Sequence, residues 1–316
     1  MANVGVISKR PFTLGIFFLF FILLATIPLY IPPYPVISLT SIIMYIIITV
    51  SWTIFSGPTR YISLASAAFF GVGVYTSAVL GEALPLPVFV AIGGLFSFIL
   101  AIFIGLITLR LRGMYFIIFT FGISELIRHF LLWGETNFTG TVGRWVVAVD
   151  HTTVYYVMLV IFVMALVTAY LIKRSTFGLA LRNIGEHEEA ATHIGINATV
   201  VKTTAFAISA FFMGAAGAIM ATRWTYIDPH IAFNPLFSFM PVLMAIFGGT
   251  GQLYGPVIGA ALFAYLEEIL ITKFPYYYML LFGIILMVVI SFLPRGLVGL
   301  VQQWRKGGLK RKHANT

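Results

Sequence analysis

The sequence predicts an all-α fold, a polytopic transmembrane helical bundle of about 8 to 10 spans in which some segments are broken or re-entrant. Three observations predict it. Hydrophobic residues make up 60% of the 316-residue chain and charged residues 9%, where an ordinary soluble domain carries about 25% charged residues. The apolar residues gather in runs close to the roughly 20 that a helix needs to cross about 30 Å of hydrocarbon. The basic residues sit at the ends of those runs rather than on one soluble face.

The elements follow in order, with spans predicted at 12–31, 36–56, 62–80, 86–109, 113–132, 152–172, 200–222, 236–248, 251–271 and 276–293. The first follows Lys9-Arg10 and is too long for a signal peptide, without a clear small-x-small cleavage site, so it reads as a retained span. The stretch 57–80 opens on Gly57-Pro58 and is rich in small residues, Ser63, Ala65, Ser66, Ala67, Ala68, Gly71 and Gly73 among them, which let helix backbones approach closely. The run 236–248 is too short to span alone and gives way to Gly248-Gly249-Thr250-Gly251 and Gly255-Pro256 before a new helix. Both read as interrupted elements, tolerated at membrane depth only where protein or a water-filled cavity satisfies the freed backbone, and both are therefore candidates to line a translocation path. Between Lys173 and Lys202 the chain turns polar and carries three of its ten carboxylates, Glu186, Glu188 and Glu189. The tail 303–316 is basic and predicted to lie against anionic lipid headgroups.

With the amino terminus inside, Lys9, Arg10, Arg60, Arg110, Arg112, Lys173, Arg174, Arg182, Lys202, Arg295, Arg305, Lys306, Lys310, Arg311 and Lys312 fall on one side, leaving only Arg128, Arg144, Arg223 and Lys273 of the 19 basic residues elsewhere. The positive-inside rule then places both termini and the 173–202 loop in the cytoplasm of a prokaryotic cell, with the chain crossing its inner (plasma) membrane an even number of times. The net charge of +9 is thus an orientation signal, and nucleic acid is not an expected partner. Zero cysteines exclude disulfides and thiolate metal sites. The six histidines show no helical metal-ligand spacing, and no serine, histidine and acid constellation is recognisable, so neither a metal site nor an enzyme is expected.

Ionisable residues inside spans are costly and mark candidate sites. Glu125 and Arg128 lie three apart on one helix face, as a structural ion pair or as part of a solute path. Glu267 and Glu268 sit near the outer end of their span, where they reach water, and Arg223 and Asp228 flank an outer turn closed by Pro229. Tyr276-Tyr277-Tyr278, Trp133 and Trp304 form an interfacial belt.

In the polar loop, Glu186 and Glu188 favour the early turns of a helix, Ala190 and Ala191 give it a flat surface, and Gly195 offers a left-handed stop. Such a short helix fits a groove on another protein. The pattern Gly178-Leu-Ala-Leu-Arg182 followed by Glu186-x-Glu188-x-Ala190-Ala191-x-x-Ile194-Gly195-Ile196 resembles the cytoplasmic coupling loop of permeases in branched-chain amino acid ABC importers, the LivM-type membrane subunits. The resemblance covers nearly the whole chain, through Ser63-Leu64 and Ala67 to Tyr75, Leu109-Arg110-Leu111-Arg112-Gly113-Met114-Tyr115-Phe116, Glu125 to Arg128, the Gly248 to Ala260 turn and Pro294-Arg295-Gly296-Leu297.

The resemblance implies a single transmembrane permease domain over 1–316 that carries no cofactor of its own. It implies two ATP-binding cassette ATPase subunits that use the ATP, a second homologous permease subunit and an extracytoplasmic solute-binding protein. A G-x-x-x-x-G-K-[ST] phosphate loop is absent from the sequence. The expected coupling residues are Gly178, Arg182, Glu186, Glu188, Ala190, Ala191, Gly195 and Ile196, and the candidate path residues Ser63, Ser66, Gly71, Glu125, Arg128, Gly248, Gly249 and Gly251. The implied cargo is a branched-chain amino acid or a related small polar solute, with urea or short amides as alternatives within the family. An ion-coupled secondary transporter is the alternative outside it. The chain departs from its relatives at Arg60, Ala65 and Ser66, where glycine, glycine and a polar residue are common, and at Gly185, where arginine is common.

Overall fold

The computed structural model describes residues 21–292. Lys9-Arg10, the first part of the predicted 12–31 span, the Pro294 to Leu297 exit and the 303–316 tail lie outside the described residues. The remainder is an all-α bundle: α1 (Phe21–Tyr30), α2 (Pro33–Thr59), α3 (Ser66–Leu80), α4 (Leu86–Thr108), α5 (Met114–Gly134), α6 (His151–Arg174), α7 (Thr176–Glu186), α8 (Glu188–His193), α9 (Ala198–Ala221), α10 (Pro229–Ala232), α11 (Leu236–Gly248), α12 (Tyr254–Lys273) and α13 (Tyr278–Phe292). Seven helical runs among the described residues are long and apolar enough to cross a membrane, α10 and α11 counting together as one, while α1 and α3 are shorter apolar helices.

Local chemistry sets the ends. Pro33 opens α2, where a missing N–H costs nothing. The Asp150 carboxylate accepts from the Thr152 N–H to cap α6, whose last turn carries Lys173 and Arg174 where the helix dipole favours cations. Asn197 caps α9 by accepting from the Val200 N–H, and Asp228 caps α10 by accepting from Ile231.

The buried α9 is the axis of the bundle. A side chain on Gly73 of α3 would place its Cβ 1.9 Å from the Gly214 carbonyl oxygen of α9, and one on Gly93 of α4 would place it 2.8 Å from Ala218 Cβ, so the three helices meet with only small side chains at the contact. Towards one end, Phe206 of α9 lies 5.0 Å from Phe55 and 5.1 Å from Phe69, ring centroid to centroid. That end carries α7 and α8 and is the loop face. At the opposite face β1 (Arg144–Trp145) pairs antiparallel with β2 (Tyr226–Ile227), in the register Arg144↔Ile227, a small sheet the sequence did not announce.

Two expectations are corrected. The third span begins at Ser66 rather than at 62, because residues 60–65 are non-helical, with the Ser63 carbonyl and both backbone groups of Leu64 served by side chains of neighbouring helices. The polar loop forms two helices, not one: the chain turns at His187 (φ −150, ψ 98), so Glu186 ends α7 instead of opening α8. Gly195, with φ +90, stands past the end of α8 as the left-handed stop its position predicts.

Candidate coupling surface and interrupted segment

α7 starts where the Ser175 hydroxyl accepts from the Gly178 N–H at 3.1 Å. Gly178 lies so close to the end of α6 that a Cβ would stand 2.0 Å from the Ile172 carbonyl oxygen. Leu181 and Ile184 form the inner face of α7, and the turn beyond packs on the end of α2: a Cβ at Gly185 would lie 2.0 Å from the Pro58 carbonyl oxygen. The departure from arginine at Gly185 therefore has a local cause, since no side chain fits between α7 and α2. Ala191 of α8 is buried with Ile184 and Ala198, against which Ile196 packs. The outer surface is left to Arg182, Glu186, Glu189, Ala190, Ile194 and Gly195, all exposed. The expected flat surface is thus Ala190 alone, with Ala191 turned to the core.

Glu188 is turned inward too. Its Oε1 accepts from Lys202 Nζ at 2.7 Å and its Oε2 from the Tyr61 hydroxyl at 2.6 Å. Lys202 also donates to the Leu109 carbonyl at 2.9 Å and to the Tyr61 hydroxyl at 3.3 Å, and its ammonium lies 4.6 Å from the Tyr61 ring centre. The Lys202 side chain is 2% exposed and that of Glu188 18%. Burial alone would raise the Glu188 carboxyl's pKa, but the hydrogen bonds from Lys202 and Tyr61, with the charges of Lys202 and Arg112, outweigh it and hold the group below its ordinary value. Burial, then the hydrogen bond to Glu188, pushes the Tyr61 hydroxyl well above the usual phenol range. Glu188 thus stays ionised and Tyr61 stays a donor.

Tyr61 begins the interruption. From it the chain runs into the bundle to Ser66, and side chains bond its backbone at Ser63, Leu64 and Ala67. Trp52 Nε1 donates to the Ser63 carbonyl at 2.8 Å, the Leu64 N–H donates to Thr120 Oγ1 at 3.1 Å, and the Leu64 carbonyl accepts from Ser238 Oγ at 2.7 Å and Ser124 Oγ at 3.3 Å. The Ala67 N–H donates to Ser238 Oγ at 3.1 Å. Ser238 is ten residues from the loop-face end of α11, and Ser124 ten from that of α5, so the Leu64 carbonyl lies about 15 Å inside, near the middle of a bilayer core. There the freed peptide groups must be satisfied internally, and hydroxyls from α5 and α11 supply the partners. Ser66 Oγ, 1% exposed, has no hydrogen-bond partner among the described residues.

The candidate path residues do not converge. Ser63 and Ser66 are in the interruption, whereas Gly71 is a packing position whose Cβ would meet the Phe233 ring at 2.5 Å. Gly248 and Gly249 make the tight turn between α11 and α12 on the loop face, a Gly248 Cβ falling 1.9 Å from the Gly255 carbonyl oxygen, while Gly251 lines a loop-face cavity. Glu125 and Arg128 form an ion pair of 2.5 Å on α5, a helix at the edge of the bundle, with side chains 24% and 18% exposed. Sequence reasoning missed Tyr61, Lys202, Trp52, Thr120, Ser124 and Ser238. One signal was legible: Lys202 is the fifth residue of an otherwise uncharged spanning helix, and a charge there demands a partner.

Comparisons with known proteins agree with this architecture. A family model described as the permease component of the branched-chain amino acid transport system matches residues 34–290. The chain is 27% identical over 294 residues to the high-affinity branched-chain amino acid transport system permease protein LivM of Salmonella typhimurium, covering 82% of this chain and 68% of that protein. It is 26% identical, with the same coverage, to the protein of that name from Escherichia coli K12. It is 28% identical over 123 residues, 38% of the chain and 33% of the relative, to the xylose transport system permease protein XylH of Haemophilus influenzae. No solved structure matches it. A bundle with seven apolar helical runs of spanning length, interrupted at mid-depth and matched from α2 to α13, is a multi-pass ABC transporter permease, and the chain belongs to the branched-chain amino acid transport system permease family.

Proposed function

We propose that the chain is a permease subunit of an ATP-driven importer that passes branched-chain amino acids or a related small polar solute inward. Separate ATPase subunits dock on the exposed surface of α7 and α8, which lies in the cytoplasm. A second, homologous permease stands beside the chain in the membrane, and a solute-binding protein delivers cargo at the opposite face. The observation that carries this reading is Tyr61, which both closes on Glu188 of α8 and begins the segment that ends at mid-depth. Displacement of α8 is felt first by Glu188, Lys202 and Tyr61, and then by the Ser63 to Ala67 backbone held by Trp52, Thr120, Ser124 and Ser238. Branched-chain amino acids are favoured as cargo because the relatives that cover most of the chain carry that name, whereas the sugar permease matches 38% of it.

The chain contains no cysteine, so single cysteines placed at Ala190 or Ile194 report contacts without background. In the assembled complex, Ala190→Cys is expected to cross-link to the ATPase subunit in an ATP-dependent way, and proteoliposomes are expected to accumulate leucine. Cross-linking that ignores nucleotide would sink the coupling reading, and ATP-driven uptake of urea or of a pentose with none of leucine would sink the cargo.

A further inference from the structure

On the loop face a cavity of about 350 Å³ opens between the ends of α2 and α6, the start of α7 and the 250–253 turn. Its apolar wall includes Ile54, Ala169, Ile172 and Leu253, and its charged lining is Arg60, Lys173 and Arg182 with the single carboxylate Glu186. None of the three cations has a carboxylate oxygen within ion-pair distance among the described residues, although Arg112, Arg128, Arg144 and Lys202 all do. Lys173 is held at the wall by donating to the Gly251 carbonyl at 3.2 Å and to Gln252 Oε1 at 3.4 Å. Arg60 caps α2 in the left-handed region at φ 61, where glycine is at ease and an arginine is not.

Three cations on three separate elements around one partly apolar cavity repel one another, and an anion among them relieves that repulsion. Donors from three elements suit an anion with several acceptor oxygens, and arginine forks are built for phosphate. The cavity lies where two spanning helices leave the membrane, the level at which basic pockets between helices meet lipid headgroups. We propose that Arg60, Lys173 and Arg182 bind a phosphate group, and that the phosphate is that of an anionic phospholipid in the adjoining leaflet. The proposal stands independently of the cargo; it shares Arg182 with the proposed ATPase surface, so the test reads the response to lipid rather than stability or ATP hydrolysis.

The test uses the assembled complex in nanodiscs of phosphatidylcholine, with or without phosphatidylglycerol, and reads thermal unfolding of the permease together with lipid retained in native mass spectra. Phosphatidylglycerol is expected to raise the wild-type midpoint and to remain bound, and both effects should fall by at least half in Arg60→Gly/Arg182→Gln. Arg110→Gln, which removes an exposed cation of the same face outside the cavity, is expected to keep them. Arg60→Gly alone, favoured by its backbone angle, serves if the double variant fails to assemble. Glycerol phosphate added to phosphatidylcholine nanodiscs is expected to do nothing; a full shift from it, lost in the variants, would overturn the lipid source. Equal responses in wild type and variants, or none in wild type, would overturn the site.

Discussion

Removing Glu188 isolates what the buried cluster is worth. In Glu188→Ala the Lys202 ammonium, 2% exposed, loses its 2.7 Å carboxylate partner and keeps only the Leu109 carbonyl and the Tyr61 hydroxyl. Stripping one partner from a buried pair costs about 3–5 kcal/mol, and the two surviving acceptors put this case near 3 kcal/mol. Lys202→Met leaves Glu188 18% exposed with Tyr61 still donating, which costs about 2 kcal/mol. The double variant Glu188→Ala/Lys202→Met removes both charges and is expected within about 1 kcal/mol of wild type. Denaturant unfolding of the purified chain in detergent measures all three, and the expected coupling is about 4 kcal/mol. Losses in the single variants that simply add in the double would refute the reasoning. The folded double variant is also expected to lose solute-stimulated ATP hydrolysis in the complex, because the link from α8 to Tyr61 is gone. The sign of the pH effect follows from a native carboxyl pKa below its ordinary 4.5. The stabilisation is complete above about pH 4.5 and is lost as pH falls through the native value, so wild type and Glu188→Ala should converge on acidification.

Three further outcomes are expected. Gly185→Ala drives a Cβ to 2.0 Å from the Pro58 carbonyl oxygen and should lower stability by about 2 kcal/mol in thermal unfolding, by parting α7 from α2. Ser238→Ala removes the acceptor of the Ala67 N–H and one of two donors to the Leu64 carbonyl, which should cost about 2 kcal/mol and slow uptake in proteoliposomes. Glu125→Gln breaks the 2.5 Å contact to Arg128, whose Nε already lacks a partner, and should cost about 2–3 kcal/mol; His129→Gln, at 3.9 Å and with a ring 63% exposed, should cost far less in the same assay.

The bundle was legible because its physics is one-dimensional: apolar runs, prolines at starts and glycines at turns place α4 at 86–108 and α11 at 236–248 almost without structure. The break before Ser66 was legible in kind, through Gly57-Pro58 and the run of small residues, but not in position. Its boundary depends on Thr120, Ser124 and Ser238, hydroxyls 56 to 174 residues away in the chain that replace the helical partners of Leu64 and Ala67. The polar loop was read as a coupling element from Gly178 to Ile196, yet which residues face inward depends on where α7 ends. A turn at His187 aims Glu188 at Lys202 and buries Ala191, and no periodicity over so short a stretch fixes that turn.

The close contact of Gly73, Gly93 and Gly214 also fixes the point about which a moving α9 would turn. With only the small side chains of Ser97 and Ala218 at that contact, a tilt of α9 about Gly214 would meet less resistance than a slide past it. Lys202 lies about 18 Å along the helix on one side of that point and Ala221 about 10 Å on the other. A tilt that carries Lys202 by about 1 Å therefore moves Ala221 by about 0.6 Å in the opposite sense. Five residues beyond Ala221 the chain enters β2, paired with Arg144 and Trp145, so a small tilt of α9 at the loop face would reappear, reduced and reversed, at the far surface.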